Sequence, residues 1–329
     1  MIGRRVPYNE AYEKTQGNKA RIFAVTGKGG RSGYERIHKE AFPDIIHKPK
    51  FKLESSMPVF TLGSCFARNI EGELSKHGVK CLTTALQLPA ELYEAKGVGS
   101  RNGALNAYTP ASMLNLLRLS AGGFDATFAA LKTGDDEWLD MLMSGLRPLS
   151  LEELGTVRKG LYDVYESAKK ADVFIITLGY TESWFDKENG VYVNRSPGAS
   201  IKSHKLGDRY EFHNLDASQV IESLEACVEL IRHITNGKAR VLFTVSPVPL
   251  HATFTNQDVI LANAYSKSTL LSAAQTVSQR NDSVDYFPSY EMVSFTDAGQ
   301  AWLEDGVHVN PAVVSQVVSK FHSLYYTDA

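Results

Sequence analysis

Two kinds of hydrophobic pattern alternate along the chain. Short runs that are apolar or β-branched at nearly every position (58–62, 78–83, 172–178, 240–246 and 284–288) are separated by longer stretches whose apolar residues recur every three or four positions. Runs of the first kind predict strands buried on both faces, and stretches of the second kind predict amphipathic helices. In 217–235 the apolar set is Val220, Ile221, Leu224, Cys227, Val228, Ile231 and Ile234, one stripe on a helix packed against a core. A second helix is expected over 259–278. A third is expected over 311–326, where Asn310 suits the cap and Pro311 the first helical position. Strands alternating with helices imply an α/β fold built on a parallel five-stranded sheet with helices on its faces.

Two segments fit this alternation poorly. Residues 84–150 read as mostly helical, with 97–103 as a loop, and 186–216 read as polar and irregular. Both are long enough to be excursions over the sheet edge that shape a binding surface. Residues 1–57 form an N-terminal extension that precedes the core or packs on it, and 58–329 form the domain proper. Within the extension, 21–26 has the composition of a strand, and the glycine-rich 27–33 resembles a phosphate loop. The match is poor, because Lys28 is followed by Gly29 where a Walker loop has Ser or Thr, and only a brief helical segment (32–39) follows. A surface loop is the expected outcome.

Composition narrows the function. With 329 residues, 43% of them hydrophobic, the chain can bury a large core. The 35 Lys and Arg nearly balance the 37 Asp and Glu, which leaves no electrostatic footprint for nucleic acid or an anionic membrane. A small polar ligand is the better match. Three cysteines, at 65, 81 and 227, lack the spacing of a disulfide framework or a zinc site, so reduced thiols and no metal are expected. The first residues carry charge without an apolar h-region, and no run approaches ~18 apolar residues. A cytoplasmic protein with no membrane span is therefore expected.

Ligands of open parallel sheets sit at the carboxyl ends of the strands, so the residues just past each strand are the candidates for chemistry. They are Ser64 and Cys65 after the first strand, 179–184 after the third, and 246–249 after the fourth. After the fifth comes Asp305-Gly306-Val307-His308. An Asp and a His three residues apart can pair locally, the carboxylate fixing the tautomer while the other ring nitrogen faces outward as a base. The plainer readings are a core thiol at Cys65, a helix cap at Ser64 and an Asx turn at Asp305. His251, beyond the fourth strand, is a weaker candidate for substrate contact.

A nucleophile at a strand-turn-helix near one end of the chain, with Asp-x-x-His near the other, is similar to the arrangement of the SGNH or GDSL-type hydrolases. Within that group the sequence resembles the GSCFA family through Gly63-Ser64-Cys65-Phe66-Ala67, Asn106-Ala107-Tyr108-Thr109-Pro110, 177–184, Ser246-Pro247-Val248, 286–291 and 305–308, which together span about 51–311. The resemblance implies a flavodoxin-like three-layer α/β/α fold of the SGNH hydrolase type and an acyl-transfer site. Laying Gly-Asp-Ser on the turn puts Cys65 at the nucleophile position, with Ser64 as the alternative. Asp305 and His308 would then be the orienter and the base. In the third block Gly179-x-Thr181-Glu182 replaces Gly-x-Asn-Asp. Oxyanion donors would therefore be the Thr181 hydroxyl, the Cys65 N–H, and Asn106 or the amide of Gly103. Glu182 would pair with Arg68 or bind a sugar hydroxyl, and Trp184 offers a stacking platform.

The function these residues imply is acyl transfer through a Cys65 thioester, with acetyl-CoA as the donor, no permanently bound cofactor, and a glycan or glycan precursor as acceptor. A carbohydrate or small-molecule esterase and an inactive glycan-binding module are the alternatives. On the catalytic reading, the sulfur of Cys65 and the imidazole of His308 should approach to within ~4 Å.

Overall fold

A computed structural model describes residues 5–18, 20–25, 31–94, 103–197, 206 and 208–327. The N-terminal region holds α1 (Tyr8–Gln16) and α2 (Gly33–His38). The central sheet is made of β1 (Val59–Gly63), β4 (Val173–Leu178), β8 (Arg240–Val245) and β9 (Val284–Tyr286), all parallel, in the order β1-β4-β8-β9. Side chains alternate across it. Phe60, Leu62, Phe174, Ile176, Leu178, Val241, Phe243 and Val245 enter one core, while Val59, Val173, Ile175 and Leu242 enter the other. Burial on both faces is why these strands read as unbroken apolar runs.

The first core is covered by α5 (Leu151–Ser167), α6 (Ala217–Ile234) and α7 (Val259–Arg280), the second by α3 (Cys65–Lys76) and α10 (Pro311–Tyr325). Short helices α8 (Ser289–Ser294) and α9 (Ala298–Ala301) lead into α10. Asp216 caps α6 through a reciprocal capping box with Gln219, and Asn310 caps α10 by accepting from the Ala312 N–H.

The sheet has four strands, not the five expected. The 78–83 run has period-2 alternation, but it makes only a single parallel bridge, Val59 to Cys81, before the chain turns into the 3₁₀ segment Leu82–Ala85. Thr83 turns inward instead, its hydroxyl bonding to the buried Glu71 carboxylate and to Thr61. The four-residue 3₁₀ turn takes the place of an edge ladder.

The excursions also differ from their expected form. In place of a mostly helical 84–150, the described part contains one nine-residue helix, α4 (Pro110–Arg118), and the hairpin β2 (Ala130–Gly134) to β3 (Glu137–Asp140). Asp140 ends the hairpin by accepting from the Leu142 and Met143 N–H groups and from Arg158. The 186–216 excursion contains β6 (Val191–Val193) and β7 (Tyr210–Asn214), which flank β5 (Glu182–Asp186), the strand leading into it, in an antiparallel sheet closed by Arg209 on Asp186 at 2.7 Å. In the extension, 21–25 forms no strand and 26–30 lies outside the described residues. Ser32 and Glu35 cap α2 reciprocally. Residues 50–57 are tied to the domain, with Leu53 bridging Tyr326 and the Lys50 N–H bonded to Asp285. Among the described residues no helix is long and apolar enough to cross a membrane, and no cluster of His, Cys, Asp or Glu is placed to hold a metal ion.

Candidate functional site

The turn from β1 into α3 is built for close approach. Gly63 has φ of +150°, and a Cβ there would lie 2.5 Å from the Thr177 carbonyl oxygen and 3.0 Å from the Ala67 Cβ. Gly at 63 and a small residue at 67 let the turn press against β4. Phe66 fills the second core. Beneath the turn, buried Arg68 donates to Glu71 and to the Thr61 carbonyl, pinning the first turn of α3 to β1. Arg68 therefore pairs with Glu71, not with Glu182 as expected.

This packing leaves Ser64 and Cys65 at the carboxyl end of the sheet. Ser64 occupies the cap position but makes no cap hydrogen bond. Its hydroxyl lies 3.3 Å from that of Ser246, at the end of β8. Cys65 is half-buried. Burial pushes its thiol above the ordinary value; against this act the N–H groups of Phe66 and Cys65, the charge of Lys267 and the Ser64 hydroxyl. A helix terminus alone would lower the thiol, and here desolvation outweighs it.

Lys267, unforeseen from the sequence, is a buried amine whose positive charge, when protonated, lowers the Cys65 thiol. It is 1% exposed, and burial lowers it to about 7. Its Nζ donates to the carbonyls of Gly179 and Val248, both at 2.7 Å, joining the segments that leave β4 and β8.

Several predicted site residues gather around this point. Asn106 bridges Gly63. Its buried carboxamide reaches the Tyr108 hydroxyl at 3.5 Å, and its Oδ1 has no partner among the described residues. The Gly103 carbonyl accepts from the Asn106 N–H, and residues 95–102 lie outside the described residues. Gly179 packs so closely on Tyr108 that a Cβ would lie 2.7 Å from the Tyr108 carbonyl oxygen. Both donors of Thr181 are engaged, the N–H with Ser266 and the hydroxyl with Asn214. Glu182 accepts from the Thr253 hydroxyl and the Phe254 N–H, which anchors the 253–254 loop. Rings Tyr108 and Tyr180 stack at 5.3 Å. They line a cavity of about 230 Å³ together with Glu182, Trp184, Asn194, His251 and Phe254.

The Asp305–His308 pair forms. One Asp305 oxygen lies 2.6 Å from His308 Nδ1, and the other accepts from the Val307 and His308 N–H groups. These bonds hold the Asp305 carboxyl at about 2, the His308 N–H being the largest cause. Both side chains are exposed. Helices α3 and α10 run side by side in one direction: His77 stacks on His322 at 4.5 Å, and Ile70 shares an apolar crevice with Val317, Val318 and Phe321. His77 to Cys65 and His322 to Asn310 are equal counts of residues, about 18 Å of helix each. Both helix starts therefore lie at the same end of the sheet. No hydrogen bond joins His308 to Cys65 among the described residues.

The family model for the GSCFA family matches residues 58–321. The chain belongs to the GSCFA family. No curated protein is similar enough to match. The GSCFA motif has a physical reading: Gly63 and Ala67 permit the approach to β4, Phe66 anchors the helix, and buried Ser64 and half-buried Cys65 stand at its head.

The cysteines should differ in reactivity. Burial pushes Cys81 and Cys227 up to about 12 and both are buried, whereas Cys65 is half-exposed. Brief iodoacetamide treatment near neutral pH followed by peptide mapping should label Cys65 first. Equal labelling of all three would end the case for a distinctive thiol.

Proposed function

We propose that this protein is an SGNH-like acyltransferase that carries an acetyl group as a thioester on Cys65 and passes it to a sugar hydroxyl. The observation that carries this reading is the surroundings of Cys65: a half-exposed thiol at a helix start, flanked by N–H groups, at the sheet end where the buried Lys267 amine joins the segments after β4 and β8. In the reaction, the thiolate attacks the carbonyl of acetyl-CoA and the CoA thiolate departs. An acceptor hydroxyl then attacks acetyl-Cys65, losing its proton to His308, and the ester forms as the Cys65 thiolate departs. Since the donors of Thr181 are engaged, the oxyanion is assigned to the Cys65 N–H and the Asn106 carboxamide. A sugar suits the adjoining cavity, where stacked aromatic rings meet Asn194 and His251.

Incubation with acetyl-CoA should add one acetyl mass to the wild-type chain at Cys65 and none to Cys65→Ala. The label should leave faster when the correct nucleotide sugar or oligosaccharide is supplied. Rapid hydrolysis of aryl acetates without labelling by acetyl-CoA would point to the esterase, and inactivity with both donors to a binding module.

A further inference from the structure

We propose that Lys267 is the proton acceptor for Cys65, the two forming a buried amine–thiol pair within the acyl-transfer site proposed above. A neutral lysine amine has two N–H bonds and one lone pair, and the Lys267 Nζ has two carbonyl partners, Gly179 O and Val248 O, each at 2.7 Å. Those two bonds satisfy the neutral amine completely and leave its lone pair free. A third proton would create a buried donor beyond the two carbonyls; no hydrogen bond joins Nζ to the Cys65 sulfur among the described residues, so the proton passes by a rotamer change or through one bridging water.

The fold brings the partners together. Gly179 follows β4, Val248 follows β8, and Cys65 follows β1, the other neighbour of β4. The Ser64 to Ser246 contact at 3.3 Å closes the gap between the outer two of these segments. Cys65 and Lys267 act on each other electrostatically, each favouring the other's charged form. The other titratable groups facing the thiol are Tyr108 and Tyr180, both raised by burial and so uncharged near neutral pH. From its own surroundings Lys267 meets Cys65 as its titratable neighbour. The step is a proton transfer: the S–H bond breaks, an N–H bond forms, and thiol plus amine become thiolate plus ammonium. No net charge enters the site, so burial opposes this exchange less than it opposes a lone thiolate. His308 is then left for the acceptor hydroxyl.

Two measurements test the pair, and neither needs an acyl donor. The first is the pH dependence of Cys65 alkylation in wild type and Lys267→Met. The variant's midpoint should move up by one pH unit or more, lowering the rate at pH 8 about tenfold. A superimposable profile would overturn the proposal. Because Lys267→Met strands two carbonyls and could unfold the chain, the second measurement keeps the lysine. The Lys267 titration is followed by NMR of ¹³Cε-labelled protein in wild type and Cys65→Ala. Loss of the thiolate should lower the Lys267 midpoint, since coupling between two sites is reciprocal. An unchanged midpoint would overturn the pair. Coupled titration without acetyl labelling would leave the pair standing and remove the acyltransferase, whereas labelling without coupling would do the reverse.

Discussion

Gly63→Ala should cost on the order of 3 kcal/mol of stability, and the equivalent change at Gly72 should cost nothing. At Gly63 the added methyl meets the Thr177 backbone oxygen at 2.5 Å and the Thr177 Cβ at 2.7 Å, at a φ of +150°. Neither neighbour is the flexible end of a side chain, so relief requires β1 or the turn to move away from β4. That movement also carries Cys65 out of position. Gly72 lies on the exposed face of α3, where an added methyl would have nothing within 4 Å, so alanine there should stabilise the helix by about 0.5–1 kcal/mol. Urea unfolding of the two variants measures the contrast, and alkylation of Cys65 in Gly63→Ala measures the loss of the site. Equal stability of the two variants would mean that the glycine in the motif serves something other than close packing.

The four central strands were legible because each is buried on both faces, which leaves an uninterrupted apolar signature. The fifth was misread for a physical reason. Val79, Cys81 and Thr83 alternate as a strand does, yet the Thr83 hydroxyl is committed to Glu71 and the chain leaves β1 after one bridge. Strands β5 and β7 were hidden because buried or paired polar positions, Glu182, Asp186 and Asn214, take partners distant in sequence, the Phe254 N–H, Arg209 and Thr181. No local pattern encodes such pairing.

Within the candidate site, Cys65 and the Asp305–His308 pair were visible because each is a local motif. Lys267 was not, since a lysine in an amphipathic helix ordinarily marks the solvated face. One signal did exist. Lys267 lies three residues before Leu270 and seven before Ala274, both fully buried, so it falls on the apolar stripe of α7 where a charge should be absent. A lysine on a buried stripe must find partners, and here they are the carbonyls of Gly179 and Val248, on the segments that leave β4 and β8.

His308→Ala should leave acetyl-Cys65 able to form while slowing its discharge to the acceptor by about 10²–10⁴-fold, the usual contribution of a positioned general base. This division follows from position. Lys267 is the acceptor proposed for the Cys65 proton, whereas His308 is exposed on the loop before α10, where an incoming hydroxyl would arrive from solvent. Asp305→Asn should slow the same step less, because an amide can still accept from the Val307 and His308 N–H groups while losing the charge that supports an imidazolium. The pH dependence has a definite sign. A depressed carboxyl is ionised above its folded value, and Asp305, held at about 2, stays charged until the pH falls to that region. Mild acidification therefore leaves the Asp305 charge in place, and Asp305 contributes no acid limb to discharge above that region. Rapid-quench measurement of the two half-reactions separates formation of the thioester from its transfer. If the His308→Ala variant discharges at the wild-type rate, the Asp305–His308 pair is a structural turn and the acceptor is deprotonated elsewhere.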